Sequence, residues 1–137
     1  MSKEVFVAEV KRIVGLMRGG DADGANAAFG SLFTAPLFGE QRPEDRRQAF
    51  KLLVLAKRSG APSVTMLDAH RAANEPLEAL VAATHDPEDY EMLGVCRAVL
   101  GHPDEAAVAI REGLRLERDR NPQSDLCGRL MTRLSSL

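Results

Sequence analysis

The sequence predicts an all-α fold built from helical hairpins. Aromatic residues make up only 4% of the 137 residues and Trp is absent, so the core must consist mainly of Ala, Leu, Val and Met, which suits closely packed helices. Apolar residues recur at the spacing of one helix face along most of the chain. Gly20, Gly60 and Gly101 lie 40 and 41 residues apart, each between two such stretches. These observations together indicate three helical hairpins of similar length.

The first hairpin is predicted over residues 3–38. Its first helix ends at Gly20, and Asp21 is a typical N-cap for the second helix. The carboxylates of the sequence DADG, which begins at Asp21, also alternate as they do in a calcium loop. The sixth position of such a loop is Asn26 rather than Gly, however, and the twelfth is Leu32 rather than Glu. The pattern therefore favours a helix cap over a metal site.

The second hairpin is predicted over residues 43–84. Pro43 and the acidic residues after it are typical of a helix start, and this helix runs towards Gly60. Another helix begins after Pro62. Pro76 either starts a short separate helix or lies within a kinked continuation, and the pattern leaves both possibilities open.

The third hairpin is predicted over residues 86–120, with Asp86 as N-cap and Pro87 at the first helical position. A closing helix is predicted over residues 122–137, because Pro122 follows a capping Asn and a stripe of leucines comes after it. We expect this helix to cover the apolar side of the third hairpin.

The third hairpin resembles a tetratricopeptide repeat. The family's aromatic residue, Leu-Gly pair, turn Gly, Ala and large apolar residue are matched by Tyr90, Leu93, Gly94, Gly101, Ala106 and Ile110. Two positions depart from the family pattern: Arg97 stands where an aromatic residue is usual, and Gly113 replaces the second Ala.

With 137 residues the chain is long enough for one domain and short for two, so a single domain over residues 1–137 is predicted, and the resemblance implies how that domain is built. Its architecture would be a short right-handed α-solenoid of three degenerate tetratricopeptide-like hairpins with a C-terminal capping helix. The intervals between the hairpin glycines exceed the family period of about 34 residues, so HEAT-like helix pairs are the alternative arrangement.

The charge and the cysteine content limit the classes of function that the sequence allows. A net charge of −2 and a pI near 5.9 argue against a protein that binds nucleic acid or anionic membranes. The N-terminal segment is apolar only at helical spacing, which excludes a signal peptide or a membrane span there and predicts a cytoplasmic protein. Cys96 and Cys127 lie in apolar registers without a CxxC motif, and we expect two reduced, packed thiols.

No pattern for catalysis is found. His70, His85 and His102 are scattered, and the sequence contains neither a Gly-x-Ser-x-Gly motif nor a glycine-rich phosphate loop. We therefore expect a protein that is not an enzyme and that uses no cofactor and no metal.

The predicted function is protein–protein interaction, as an adaptor or chaperone-like binder of a peptide or amphipathic helix in a mostly apolar concave groove. The alternative is a homo-oligomerisation module, such as a homodimer, whose apolar face is covered by its own copy. Positions carried over from the tetratricopeptide family assign the following residues to the groove: Val10, Val14, Met17, Arg47, Phe50, Val54, Lys57, Arg58, Glu91 and Val95. The valines can equally pack inside a closed bundle, and the basic residues can form a solvated helix face.

Overall fold

A computed structural model describes residues 2–137 of the chain. These residues form helices and no strands, so the all-α prediction is confirmed. In chain order the helices are α1 (Ser2–Arg18), α2 (Ala22–Thr34), α3 (Pro36–Gly39), α4 (Pro43–Val54), α5 (Val64–Thr84), α6 (Pro87–Val99), α7 (Pro103–Arg120) and α8 (Asp125–Ser135). None of the helices in this described part has an apolar run of membrane-spanning length.

The chain divides into two compact units, unit 1 (Met1–Pro76) and unit 2 (Leu77–Leu137). The division falls within α5, inside the second of the three predicted hairpins. Pro76 lies inside α5, which continues to Thr84 without a break. The structure thus favours the continuous helix, one of the two possibilities that the sequence left open.

Unit 1 is built around a cluster of aromatic rings. Phe33 stacks on Phe50 with ring centroids 4.8 Å apart, and Phe38 contacts both of these rings at 5.3 and 5.2 Å. Phe38 belongs to α3, a one-turn helix that the sequence pattern did not predict. Rings in this tilted and offset geometry add stability beyond the area that they bury. The cluster accordingly holds α3 and α4 against α2.

The turn between α1 and α2 forms as the sequence predicts. Gly20 has a φ of 83°, a left-handed conformation that favours glycine. The side chain of Asp21 accepts a hydrogen bond from the backbone N–H of Gly24 at 2.9 Å, which caps α2. Gly60 and Gly101 also have positive φ values, of 78° and 83°.

In unit 2, α6 and α7 approach each other closely at two glycines. A Cβ atom added to Gly94 would lie 2.9 Å from Cδ1 of Ile110, and one added to Gly113 would lie 3.0 Å from Cβ of Tyr90. Ala106 is fully buried in the same hairpin. The two helices are therefore in close contact, and Tyr90 explains why glycine rather than alanine stands at position 113.

Helix α8 covers the apolar side of α7, as predicted. Leu130 and Cys127 form one buried cluster with Ile110 and Leu114. The predicted start of this helix at position 122 is wrong, because Ser124 is the N-cap and accepts a hydrogen bond from the backbone N–H of Cys127 at 3.2 Å.

Candidate functional site

Several residues predicted to line the groove lie in the core instead. Phe50 and Val54 are fully buried, and the ring of Phe50 belongs to the aromatic cluster of unit 1. The prediction that these two side chains form an open apolar floor is therefore wrong, because the apolar face of α4 packs within its own unit. Val10, Val14, Arg47 and Val95 are partly buried.

Glu91 was also assigned to the groove, but its side chain is not open to a partner. The side chain is fully buried in unit 2, where Arg129 donates two hydrogen bonds to its carboxylate at 2.6 and 2.9 Å and Arg133 donates one at 2.7 Å. Burial alone would raise the pKa of Glu91, but these hydrogen bonds outweigh it and lower the pKa. Glu91 thus fastens α8 to α6 and is closed to a partner.

The remaining three predicted residues, Met17, Lys57 and Arg58, come together at one pocket of unit 1. We call it the end pocket, a cavity of about 220 Å³. It lies where the α1–α2 turn, the beginning of α2, the end of α4 and the beginning of α5 meet. Phe29 and Leu53 are buried residues of its lining, and Met17 is 37% exposed.

Local sequence explains the shape of the end pocket. Ala22 and Ala25 place only methyl groups on the pocket side of α2, which leaves room that larger side chains would fill. Helix α4 ends at Val54, and the chain continues without helical structure through residues 55–63. The two consecutive cations Lys57 and Arg58 lie in this segment and are exposed beside the apolar lining.

Both cations are available for a negatively charged group. Within residues 2–137, neither Lys57 nor Arg58 is paired with a carboxylate. Burial lowers the pKa of His70, and the charge of Arg58 lowers it further, so His70 adds no positive charge at neutral pH. The structure thus combines an apolar cavity with two unpaired positive charges on its rim.

One wall of the end pocket is held by hydrogen bonds. Asn26 is buried and donates to Oγ1 of Thr65 at 3.2 Å, and Thr65 in turn donates to a carboxylate oxygen of Asp23 at 2.6 Å. Asn26 also borders a second, more polar depression of about 300 Å³ between α2 and α5. These bonds tie the beginning of α5 to α2 and fix the side of the pocket that they form.

Side chains of the types used in catalysis or metal binding do not cluster elsewhere within residues 2–137. Among residues 2–137, no group of three or more His, Cys, Asp or Glu side chains could hold a metal ion. Cys96 and Cys127 are buried and neither forms a disulfide, and burial raises the pKa of the Cys96 thiol to about 12. This thiol is therefore protonated at neutral pH and is a poor nucleophile.

Comparison with known proteins gives no relative. The chain matches no protein-family model, no curated protein and no solved structure. The tetratricopeptide resemblance accordingly depends on the residues of the third predicted hairpin, and it stays an expectation.

Nine lining residues of the end pocket were missed by reasoning from the sequence: Gly20, Ala22, Ala25, Asn26, Phe29, Leu52, Leu53, Ala56 and Met66. One signal could have found them. Lys57 and Arg58 follow the last apolar residues of the helix that was predicted to run towards Gly60 and that ends at Val54, and small residues follow the capped turn at Asp21. A cleft lined by charges of one sign attracts ligands of the opposite charge.

Proposed function

We propose that the chain is a non-catalytic protein-interaction module, and that its end pocket holds an apolar side chain of the partner next to an acidic residue. The supporting observation is that an apolar cavity lies beside two cations, Lys57 and Arg58, which have no carboxylate partner in the described residues. Burying the apolar side chain stabilises the complex by about 25 cal/mol per Å². The rim cations favour acidic flanking residues and orient the segment.

The size of the cavity favours a side chain over a whole small molecule. Sites for small molecules usually measure roughly 300–1,000 Å³, and the end pocket measures about 220 Å³. A single Leu, Met or Phe side chain suits such a cavity, while the rest of the partner segment lies across its rim. The two exposed cations are placed where the residues that flank this side chain would pass.

The finer architecture is also part of the proposal. A short right-handed α-solenoid of tetratricopeptide-like hairpins is supported by the close packing of α6 and α7 at Gly94 and Gly113. Two buried thiols that form no disulfide are typical of a reducing compartment, and we propose the cytoplasm as the location.

Selection of displayed random peptides on the purified protein tests this function. We expect the selected peptides to share an apolar residue with Asp or Glu within two positions of it. Each peptide is then titrated against the wild type, Lys57→Glu and Lys11→Glu. Lys11 is also an exposed lysine of unit 1 but does not line the pocket, so it is the matched control.

Lys57→Glu should weaken binding about five-fold, because it removes one attraction and adds one repulsion at an exposed site. Lys11→Glu should leave the affinity unchanged. Peptides without acidic residues, or equal losses in both variants, would contradict the proposal. A stable dimer in sedimentation, with the end pocket protected from modification, would favour the homo-oligomerisation alternative instead.

A further inference from the structure

Methionine side chains are concentrated at the end pocket. The chain contains five Met residues, and two of them, Met17 and Met66, line this one cavity. Met17 is 37% exposed, and Met66 is partly buried at the beginning of α5. Both residues therefore belong to the lining that a partner would contact, and Met17 is accessible to solvent.

Thioethers react with peroxides. The sulfur attacks one oxygen of the peroxide, an S–O bond forms as the O–O bond breaks, and the released oxygen leaves as water after proton transfer. The sulfur is oxidised to a sulfoxide, and hydrogen peroxide is reduced to water. Sulfoxide reductases reverse the change, so the product is suited to regulation.

We propose that the end pocket is a site of reversible methionine oxidation, and that peroxide closes it to its ligand by converting Met17 and Met66 to sulfoxides. This inference rests on the proposed function of the pocket. A sulfoxide places a polar oxygen in a cavity that otherwise offers apolar surface. An apolar group that enters the cavity must then displace water from that oxygen without replacing its hydrogen bonds, which weakens binding. The oxygen also accepts hydrogen bonds, and Lys57 and Arg58 are donors on the rim of the same cavity. The sulfoxide thus competes with an acidic ligand for these cations.

The other described methionines provide internal controls. Met92 is fully buried in unit 2 and is shielded from peroxide. Met131 is 46% exposed on α8, where its sulfur accepts a hydrogen bond from Arg118 at 3.3 Å. Met131 should react with peroxide as readily as Met17, but it lies outside the end pocket, so its oxidation should not affect binding there.

The test uses anilinonaphthalene sulfonate, an aromatic anion that carries the apolar group and negative charge suited to the pocket. The dye is titrated into the wild type and into Ala22→Trp, in which a large side chain fills the pocket, and its fluorescence is recorded. The difference between the two titrations is the fluorescence of dye bound in the pocket. The wild type, Met131→Leu and the double variant Met17→Leu/Met66→Leu are then titrated before and after limited treatment with hydrogen peroxide. Mass spectrometry determines which residues were oxidised, and thermal unfolding shows that the treated proteins are folded.

We expect the treated wild type and the treated Met131→Leu variant to bind the probe at the pocket at least about five-fold more weakly than before treatment. The double variant, which stays apolar but cannot form a sulfoxide there, should bind equally well before and after. Unchanged binding by wild type with oxidised Met17 and Met66 would overturn the inference, and so would an equal loss in the double variant. Because the probe reports the pocket without a peptide, this result is independent of the peptide selection that tests the proposed function.

Discussion

Replacing Gly94 by Ala should destabilise unit 2, because α6 and α7 are too close at this position for a side chain. The added methyl carbon would lie 2.9 Å from Cδ1 of Ile110 and 3.2 Å from the backbone oxygen of Ala106. Overpacking of this kind costs about 1–3 kcal/mol. Alanine is a better helix former than glycine by about 1 kcal/mol, which offsets part of that loss. We therefore expect a net decrease of about 1 kcal/mol in the free energy of unfolding.

Gly128→Ala is the matched control, since Gly128 lies in α8 of the same unit and a methyl group added there meets nothing within 4 Å. It should stabilise the protein by about 0.4–1 kcal/mol. Urea unfolding followed by circular dichroism measures both variants. Ile110→Ala removes the side chain that the new methyl group meets, so combining it with Gly94→Ala should cost less than the sum of the two single changes. Equal stabilisation by Gly94→Ala and Gly128→Ala would refute the close contact.

Three further predictions concern buried groups. Glu91→Gln removes a fully buried carboxylate from between Arg129 and Arg133, whose side chains are 45% and 32% exposed, and should lower the free energy of unfolding by about 2 kcal/mol in urea titration. A loss below about 0.5 kcal/mol would show that the ion pair contributes little. Burial lowers the pKa of His70 below its ordinary value of 6.5, so the unfolded chain binds the proton more readily. Stability should therefore fall as the pH drops below about 6.5, and a pH series of melting temperatures should show a smaller slope for His70→Gln. Burial raises the pKa of the Cys96 thiol to about 12. This thiol should therefore react with Ellman's reagent only as fast as the protein unfolds, and a rapid reaction at pH 8 would contradict its burial.

The sequence predicted best those features that depend on neighbouring residues. Asp21 and Asp86 cap their helices as expected, because each side chain bonds a backbone N–H only two or three positions away. The same local reasoning failed before α8. There the side chain of Asn121 accepts a hydrogen bond from the backbone of Gln123 within a turn, and Ser124 provides the cap instead.

Features that depend on distant residues could not be predicted. Helix α3 exists because Phe38 packs against rings from other helices, and its four residues carry no helical periodicity of their own. Phe50 occupies an apolar helix face, but a pattern of apolar spacing does not distinguish a face packed in a core from one that lines an open groove. Lys57 was assigned to a groove from the positions of the tetratricopeptide family, whereas the cavity that it lines depends on α2 and α5, which are remote in sequence.

Methyl NMR of protein labelled with ¹³C at the methionine methyl groups tests most directly whether the end pocket is the binding site. The four described methionines divide into two that line the pocket, Met17 and Met66, and two in unit 2, Met92 and Met131. On titration with a selected acidic peptide, the methyl signals of Met17 and Met66 should shift with the same dissociation constant, while those of Met92 and Met131 stay in place. Shifts confined to Met131, or binding that leaves Met17 and Met66 unchanged, would contradict the assignment of the site.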